Sequence, residues 1–296
     1  KGVFFMRGKT INFFLIDGEP TKRIKCTLQN WTGIVYKIPR AMLNNCKDGA
    51  SDIVRHLKQT GIYFLLGEDS ESGEKIIYIG QAVVRKNGEG LLCRIQEHKR
   101  NNKEKYWSEW NEVIVLTTQN NSFGPTEISY LENQFTSLAK ESHRYIVKNG
   151  NEPNQGNITE EKESELSEYI DYAKMIIGVL GHVVFDPIVK DKEKRNADEN
   201  AVVFTYKGKL KANGIITDEG FALLKGSELN PTISKSAHSF TIKARKSYGN
   251  LIDENYRTTE DILFSSPSAA AGFVGGCSLS GNVMWVTADG KTPKDF

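Results

Sequence analysis

Two short apolar and aromatic segments separated by a polar turn constrain this chain more than any other feature. Gly61-Ile62-Tyr63-Phe64-Leu65-Leu66 and Lys75-Ile76-Ile77-Tyr78-Ile79 carry β-branched and aromatic residues, and residues 67–74 between them are dense in Gly, Ser, Asp and Glu. That pattern predicts a β-hairpin. Downstream, residues 91–99 suit a helix and residues 112–118 a third strand. Pro125, at a first helical position, opens a second helix with Ile128, Leu131, Phe135 and Leu138 at helical spacing.

The flanks are less sharply written. Residues 10–16 and 33–38 read as strands, ended by Asp17-Gly18 and by Pro39, and residues 51–58 as a helix capped by Ser51. Residues 149–157 form an Asn-, Gly- and Pro-rich loop, and residues 160–180 a long amphipathic helix with an acidic polar face. The charged stretch 190–200 reads as a linker. Beyond it, residues 202–206 suit a strand, Ser266-Pro267-Ser268 starts a helix over 269–274, and residues 282–287 read as a strand closed by Asp289-Gly290. The 296 residues exceed the ~100–200 of one domain. The expected class is α/β (α+β): a β-rich segment 1–50, a module 51–157 with a three-stranded antiparallel sheet and helices, a helical linker 158–200, and an α+β accessory domain 201–296.

With 39% hydrophobic and 26% charged residues the composition is that of a globular protein. Its longest apolar runs, Phe13-Phe14-Leu15-Ile16 and Met175-Ile176-Ile177, fall far short of the ~18 residues a membrane span needs. No charged-apolar-small leader opens the chain, so the expectation is a soluble, cytoplasmic protein with no membrane partner. The chain begins at Lys1, and Met6 is an alternative start. Cys26, Cys46, Cys93 and Cys277 lack zinc-site spacing and read as free thiols. A net charge of +2 neither demands nor excludes nucleic acid, but Arg85, Lys86, Arg94, Lys99, Arg100, Lys103 and Lys105 concentrate positive charge in one stretch.

Gly61-Ile62-Tyr63 and Tyr78-Ile79-Gly80 sit on the two arms of the hairpin. Arg94 and His98 follow, four residues apart on one helix face, and Leu131-Glu132-Asn133 lies on the helix after the third strand. In order, spacing and element type, these hundred or so residues resemble the GIY-YIG endonucleases. The resemblance implies a metal-dependent hydrolase acting on phosphodiester bonds in DNA, with Tyr63, Tyr78, Arg94, His98 and Glu132 as catalytic residues and Mg2+ (or Mn2+) as cofactor. Glu132 would hold the ion, for which one carboxylate plus water is sufficient. Arg94 would offer its planar fork to the scissile phosphate. Tyr63 and Tyr78 would position the attacking water or act as base, helped by His98; which of them takes the proton stays open. Taken singly, each residue reads equally as core packing or a solvated helix face, and Glu127 is a rival metal ligand.

Nucleic-acid contacts are expected from Gln81, Arg85, Lys86, Lys99, Arg100, Asn149 and Trp285. Gln81 stands where many members of the family have a lysine nearby, and Arg85 or Lys86 is the substitute cation. Asn149, Asn151 and Asn154 are alternatives for the asparagine that closes the family's module. The C-terminal part, through Phe264–Ala271, Gly281-Asn282, Trp285 and Asp289-Gly290-Lys291-Thr292, resembles domains that accompany such nucleases and restriction or methylase-associated proteins. There Lys207, Lys209, Lys211, Lys243, Arg245 and Lys246 are candidate phosphate contacts, and Trp285 is either a base-stacking or a core residue. The implied setting is restriction or phage defence. Two other readings remain: a catalytically inactive nucleic-acid-binding protein, and an RNA-cleaving toxin. With one active site per module, a double-strand cut needs a dimer or two successive nicks.

Overall fold

Period-two alternation in the central strands organises the first half of the chain into three layers. The computed structural model describes residues 8–47, 51–70, 73–100, 106–150, 156–189, 203–235 and 237–296. It divides into two units, Lys1–Asp186 and Pro187–Phe296. Unit 1 holds seven strands: β1 (Ile11–Leu15), β2 (Ile24–Leu28), β3 (Gly33–Pro39), β4 (Gly61–Glu68), β5 (Lys75–Ala82), β6 (Trp110–Thr118) and β7 (Ile146–Val147). Their order across the sheet is β1-β2-β3-β6-β4-β5-β7, antiparallel throughout except for the β5–β7 pair.

The three strands expected to form a sheet of their own, β6-β4-β5, are therefore the middle of a larger one. β3 joins β6 edge to edge, from Gly33 opposite Thr118 to Pro39 opposite Glu112. Residues 11–39 of the β-rich N-terminal segment are thus part of the same sheet. The cause is legible in Ile34, Val35, Tyr36 and Ile38, which are buried on both faces and need cover on both.

The described α-helices of unit 1 are α1 (Asp52–His56), α2 (Leu91–Arg100), α3 (Tyr106–Glu109), α4 (Pro125–Ser142) and α5 (Glu160–Val179). Ile62, Phe64, Leu66, Ile77, Ile79, Ile114 and Leu116 face α4 and α5. Tyr63, Leu65, Val113 and Val115 alternate onto the opposite face, against Leu91 and Ile95 of α2 and Ile53 and Val54 of α1. Each fully buried large side chain contributes about 1.5–3 kcal/mol, so the two layers hold the sheet rigid beneath both faces.

The helix expected as a linker is a core element. α5 buries Leu166, Tyr169, Ile170, Ala173, Ile176 and Ile177, and Tyr169 donates its hydroxyl to the Thr117 carbonyl at 3.1 Å. Its acidic first turn, capped by Thr159, complements the helix dipole. The charged linker 190–200 lies outside the described residues.

Unit 2 is a second α+β body. Strands β8 (Val203–Tyr206), β9 (Asn213–Thr217), β10 (Gly220–Leu223), β11 (Ile262–Phe264) and β12 (Trp285–Val286) form an antiparallel sheet in the order β11-β10-β9-β8-β12. With it go α6 (Ser239–Ser247), α7 (Pro267–Gly275) and α8 (Gly281–Met284). Ser266 caps α7 by accepting from the Ala269 N–H, and Gly276 ends the helix at φ 67°. Residues 282–287, expected as a strand, instead divide between α8 and the two-residue β12. Among the described residues no helix is long and apolar enough to cross a membrane.

Candidate active site

Gly61 and Gly80, one on each arm of the hairpin, are required by close approach, and Gly80 builds the site. Gly80 lies directly opposite Tyr63 in the β4–β5 ladder. A Cβ on Gly80 would overlap the Tyr63 phenol, and one on Gly61 would overlap the Leu116 carbonyl. Because position 80 is bare, the Tyr63 ring lies flat across β5 towards α2. Its hydroxyl oxygen ends 2.7 Å from Nε2 of His98. Tyr78 packs beside both, with ring centroids 6.3 Å from Tyr63 and 5.1 Å from His98. Arg94 projects from α2 one turn before His98.

Burial sets the protonation states. Tyr63 is fully enclosed, and this desolvation drives its phenol well above the ordinary value of 10.0; Tyr78 adds to the rise, Arg94 opposes it, and Glu132 adds to it slightly. Tyr78 is raised by the same burial, with the same opposition from Arg94. His98, 5% exposed, is pushed down to about 4 by burial and then by Arg94, so its imidazole is neutral at pH 7. With the ring proton assigned to Nδ1, Nε2 accepts from the Tyr63 hydroxyl. For Arg94 the burial penalty is outweighed by Tyr63 and Glu97, and its guanidinium stays charged.

Glu132 enters from α4. Gln81, on the α4-facing side of β5, donates from Nε2 to Glu132 Oε2 at 2.7 Å and lies 3.4 Å from Ser129 Oγ. Burial raises the Glu132 carboxyl above its usual value, against the Gln81 hydrogen bond and the charge of Arg94. A carboxylate disfavoured by its surroundings and acting on the same phenols as a guanidinium suits a divalent cation as its partner. Among the described residues no three His, Cys, Asp or Glu side chains cluster for a metal. A magnesium ion here would rest on Glu132 with water completing its shell, an arrangement that ion favours. The rival, Glu127, is engaged elsewhere: its Oε2 accepts from the Gly124 N–H at 3.1 Å and closes the start of α4.

The structure thus gathers Tyr63, Tyr78, Arg94 and His98 on the α2 face of β4 and β5, while Glu132 stands on α4 beside Gln81, on the other side of the sheet, and acts on the phenols through its charge. The expected nucleic-acid contacts fare differently. Gln81 is the hydrogen-bond partner of Glu132. Arg85 is exposed and pairs with Glu97 at 2.6 Å, Lys86 is exposed, and Arg100 is exposed at the end of α2. Lys99 donates to the Arg40 carbonyl at 3.0 Å, which ties α2 to the N-terminal part of the sheet layer.

Three of the expected contacts are engaged within the protein itself. Asn149 turns both ends of its amide to the backbone of Ile79, accepting from N–H at 3.0 Å and donating to C=O at 2.7 Å. It continues the short β7 ladder along β5 and latches the backbone beside Tyr78; Asn151 and Asn154 lie outside the described residues. Trp285 is fully buried between Tyr206 and Phe221, with its indole N–H on the Pro267 carbonyl, so no ring face is open to a base. Arg245 is also buried, and its guanidinium donates to the carbonyls of Phe273, Asn230 and Val274.

Two neighbours of the site escape a sequence reading. Ser129 touches Gln81 across 48 residues, with no local signal. Glu97 carries a faint signal, an i,i+3 pairing with Arg94 at 3.1 Å.

Comparison with known proteins reaches only the second unit. Residues 202–296 match the family model of a domain of unknown function, DUF4357. No curated protein and no solved structure matches the chain.

Proposed function

We propose that unit 1 is a GIY-YIG-type, metal-dependent endonuclease that hydrolyses phosphodiester bonds in DNA, with the DUF4357 unit as its accessory domain. What carries the reading is the 2.7 Å contact between the Tyr63 hydroxyl and a neutral, buried His98, with Arg94 and Glu132 acting on the same phenol.

In this mechanism the water's proton passes to the Tyr63 oxygen while the phenolic proton moves to Nε2 of His98. In the free protein burial and the Arg94 charge hold His98 at about 4, too low to draw off the phenolic proton; the negative charge of a bound phosphate offsets Arg94 and raises the proton affinity of the imidazole for this transfer. Arg94 binds the scissile phosphate through its fork and balances the charge that grows on the phosphoryl oxygens. Tyr78 closes the other side of the site and orients the water. A bound Mg2+ would supply further charge neutralisation and help the leaving oxygen, and Glu132 would hold it, itself aimed by Gln81.

The test is nicking of supercoiled plasmid by the full chain with Mg2+, beside Glu132→Ala and Arg94→Ala. Nicking that EDTA stops and both variants lack supports the reading. Nicking that persists in Glu132→Ala removes that residue from the metal's site. A parent that binds DNA and never cuts, with several metals and substrates, points to a binding protein; preferential cutting of RNA in competition points to a ribonuclease.

A further inference from the structure

Arg85 and Arg94 share one carboxylate. Arg85 Nη2 lies 2.6 Å from Glu97 Oε1, and Arg94 Nη1 lies 3.1 Å from Glu97 Oε2. Arg94 and Glu97 belong to the same face of α2, whereas Arg85 comes from the turn that precedes the helix. That turn is fastened: Arg85 N–H donates to the Glu89 carbonyl at 2.7 Å, and Gly88 N–H to the Arg85 carbonyl at 2.9 Å. Asn87 Nδ2 donates to Glu89 Oε2 at 2.8 Å, and the Cys93 thiol of α2 donates to the same oxygen at 3.2 Å. Arg85 is therefore aimed at α2 by its own backbone and neighbours.

The three side chains are 44%, 43% and 36% exposed for Arg85, Arg94 and Glu97, so the shared carboxylate is reachable from solvent. Burial opposes its ionisation, yet the hydrogen bonds from Arg85 and Arg94 hold it below the usual carboxyl value, and it is an anion at neutral pH. Two guanidinium forks converging on two oxygens of one anion is also the geometry that receives a phosphate. Exposed ion pairs are weak and exchange readily.

We propose that Glu97 is a built-in stand-in for a backbone phosphate, occupying the slot between Arg85 and Arg94 until bound nucleic acid displaces it with a phosphate held by both arginines. The inference rests on the nucleic-acid reading of unit 1 and adds a two-arginine clamp, with Glu97 as the positioning residue that keeps both forks turned to one point.

The experiment measures binding of the full chain to a short fluorescein-labelled DNA duplex, with Ca2+ in place of Mg2+, and scores plasmid nicking separately. Glu97→Gln is compared with Arg85→Ala, with the double variant, and with Glu141→Gln, which removes one exposed charge on α4. Glu97→Gln is expected to bind about three- to fivefold tighter, a gain that Glu141→Gln lacks and that Arg85→Ala abolishes. Arg85→Ala alone should lower the slope of log affinity against log salt by about 1. Loss of a merely structural side chain would weaken binding or leave it unchanged. Unchanged or weaker binding by Glu97→Gln overturns the clamp even if the protein nicks DNA. A Glu97→Gln gain that survives Arg85→Ala overturns the sharing of the slot, and a parent that binds no duplex overturns the whole inference. Tighter binding without nicking by the parent would sustain the clamp and remove the nuclease reading.

Discussion

The Tyr63 hydroxyl oxygen and Nε2 of His98, both residues buried, lie 2.7 Å apart, joining the third residue of a strand to the eighth of a helix 35 positions later. This contact is the point at which the proposed chemistry and the packing of unit 1 can be separated. Tyr63→Phe keeps the ring and removes only the hydroxyl. It should slow nicking about 100-fold to 10,000-fold, the span of general acid–base contributions, and cost about 1–3 kcal/mol of stability. Single-turnover nicking beside urea unfolding reads both. Activity within a few fold of the parent would remove Tyr63 from the proton path.

Stability should fall between pH 6.5 and 4. His98 and His56 are both buried and both pushed from 6.5 to about 4 by burial; His56 Nδ1 faces the Tyr36 hydroxyl at 2.7 Å. Their folded pKa values are depressed, so below pH 6.5 the unfolded chain takes up protons that the folded chain refuses until about pH 4. The stabilisation is complete above 6.5 and is lost as pH falls through that window, by about 3 kcal/mol per histidine. Urea unfolding at a series of pH values checks this. His98→Gln should halve the slope; an unaltered slope would contradict the assignment.

Glu132 has the opposite sign. Burial raises its folded pKa, so its ionised form weakens the fold once pH exceeds the ordinary carboxyl value of 4.5. Glu132→Gln should therefore stabilise the protein at pH 7 in EDTA, by about 0.5–2 kcal/mol, while abolishing nicking. Adding Mg2+ should raise the Tm of the parent and not of the variant. Equal Mg2+ stabilisation of both would place the ion elsewhere.

Asn149→Ala should unpin the backbone of Ile79, next to Tyr78, at a cost of about 1–3 kcal/mol. Nicking should drop, while duplex affinity and its salt slope stay as in the parent. A reduced salt slope would show a phosphate contact after all.

Trp285→Ala should behave as a core deletion in unit 2, costing about 3–5 kcal/mol and lowering that unit's thermal transition. A variant with an unshifted transition and weaker single-strand binding would restore the stacking role.

Local pattern alone determined much of this protein. The apolar and aromatic runs of residues 61–66 and 75–79, the turn between them, Pro125 and the Ser266 cap were sufficient to place β4, β5, α4 and α7, because strand propensity, turn chemistry and capping act over a few residues. The spacing of Arg94 and His98 likewise put them on one helix face. In unit 1 two strands escaped the reading: β2, although Ile24, Cys26 and Leu28 alternate with Lys25 and Thr27 as in a half-buried strand, and β7, which is only two residues long. Only the tertiary structure decided that residues 11–39 extend the central sheet, that α5 belongs to the core, and that Gln81 meets Glu132, because edge pairing and side-chain contact across 51 residues have no periodic trace. The same holds for Asn149 and Trp285. An amide or an indole is equally suited to a phosphate, a base or a neighbouring carbonyl, and which it meets depends on what folding places beside it.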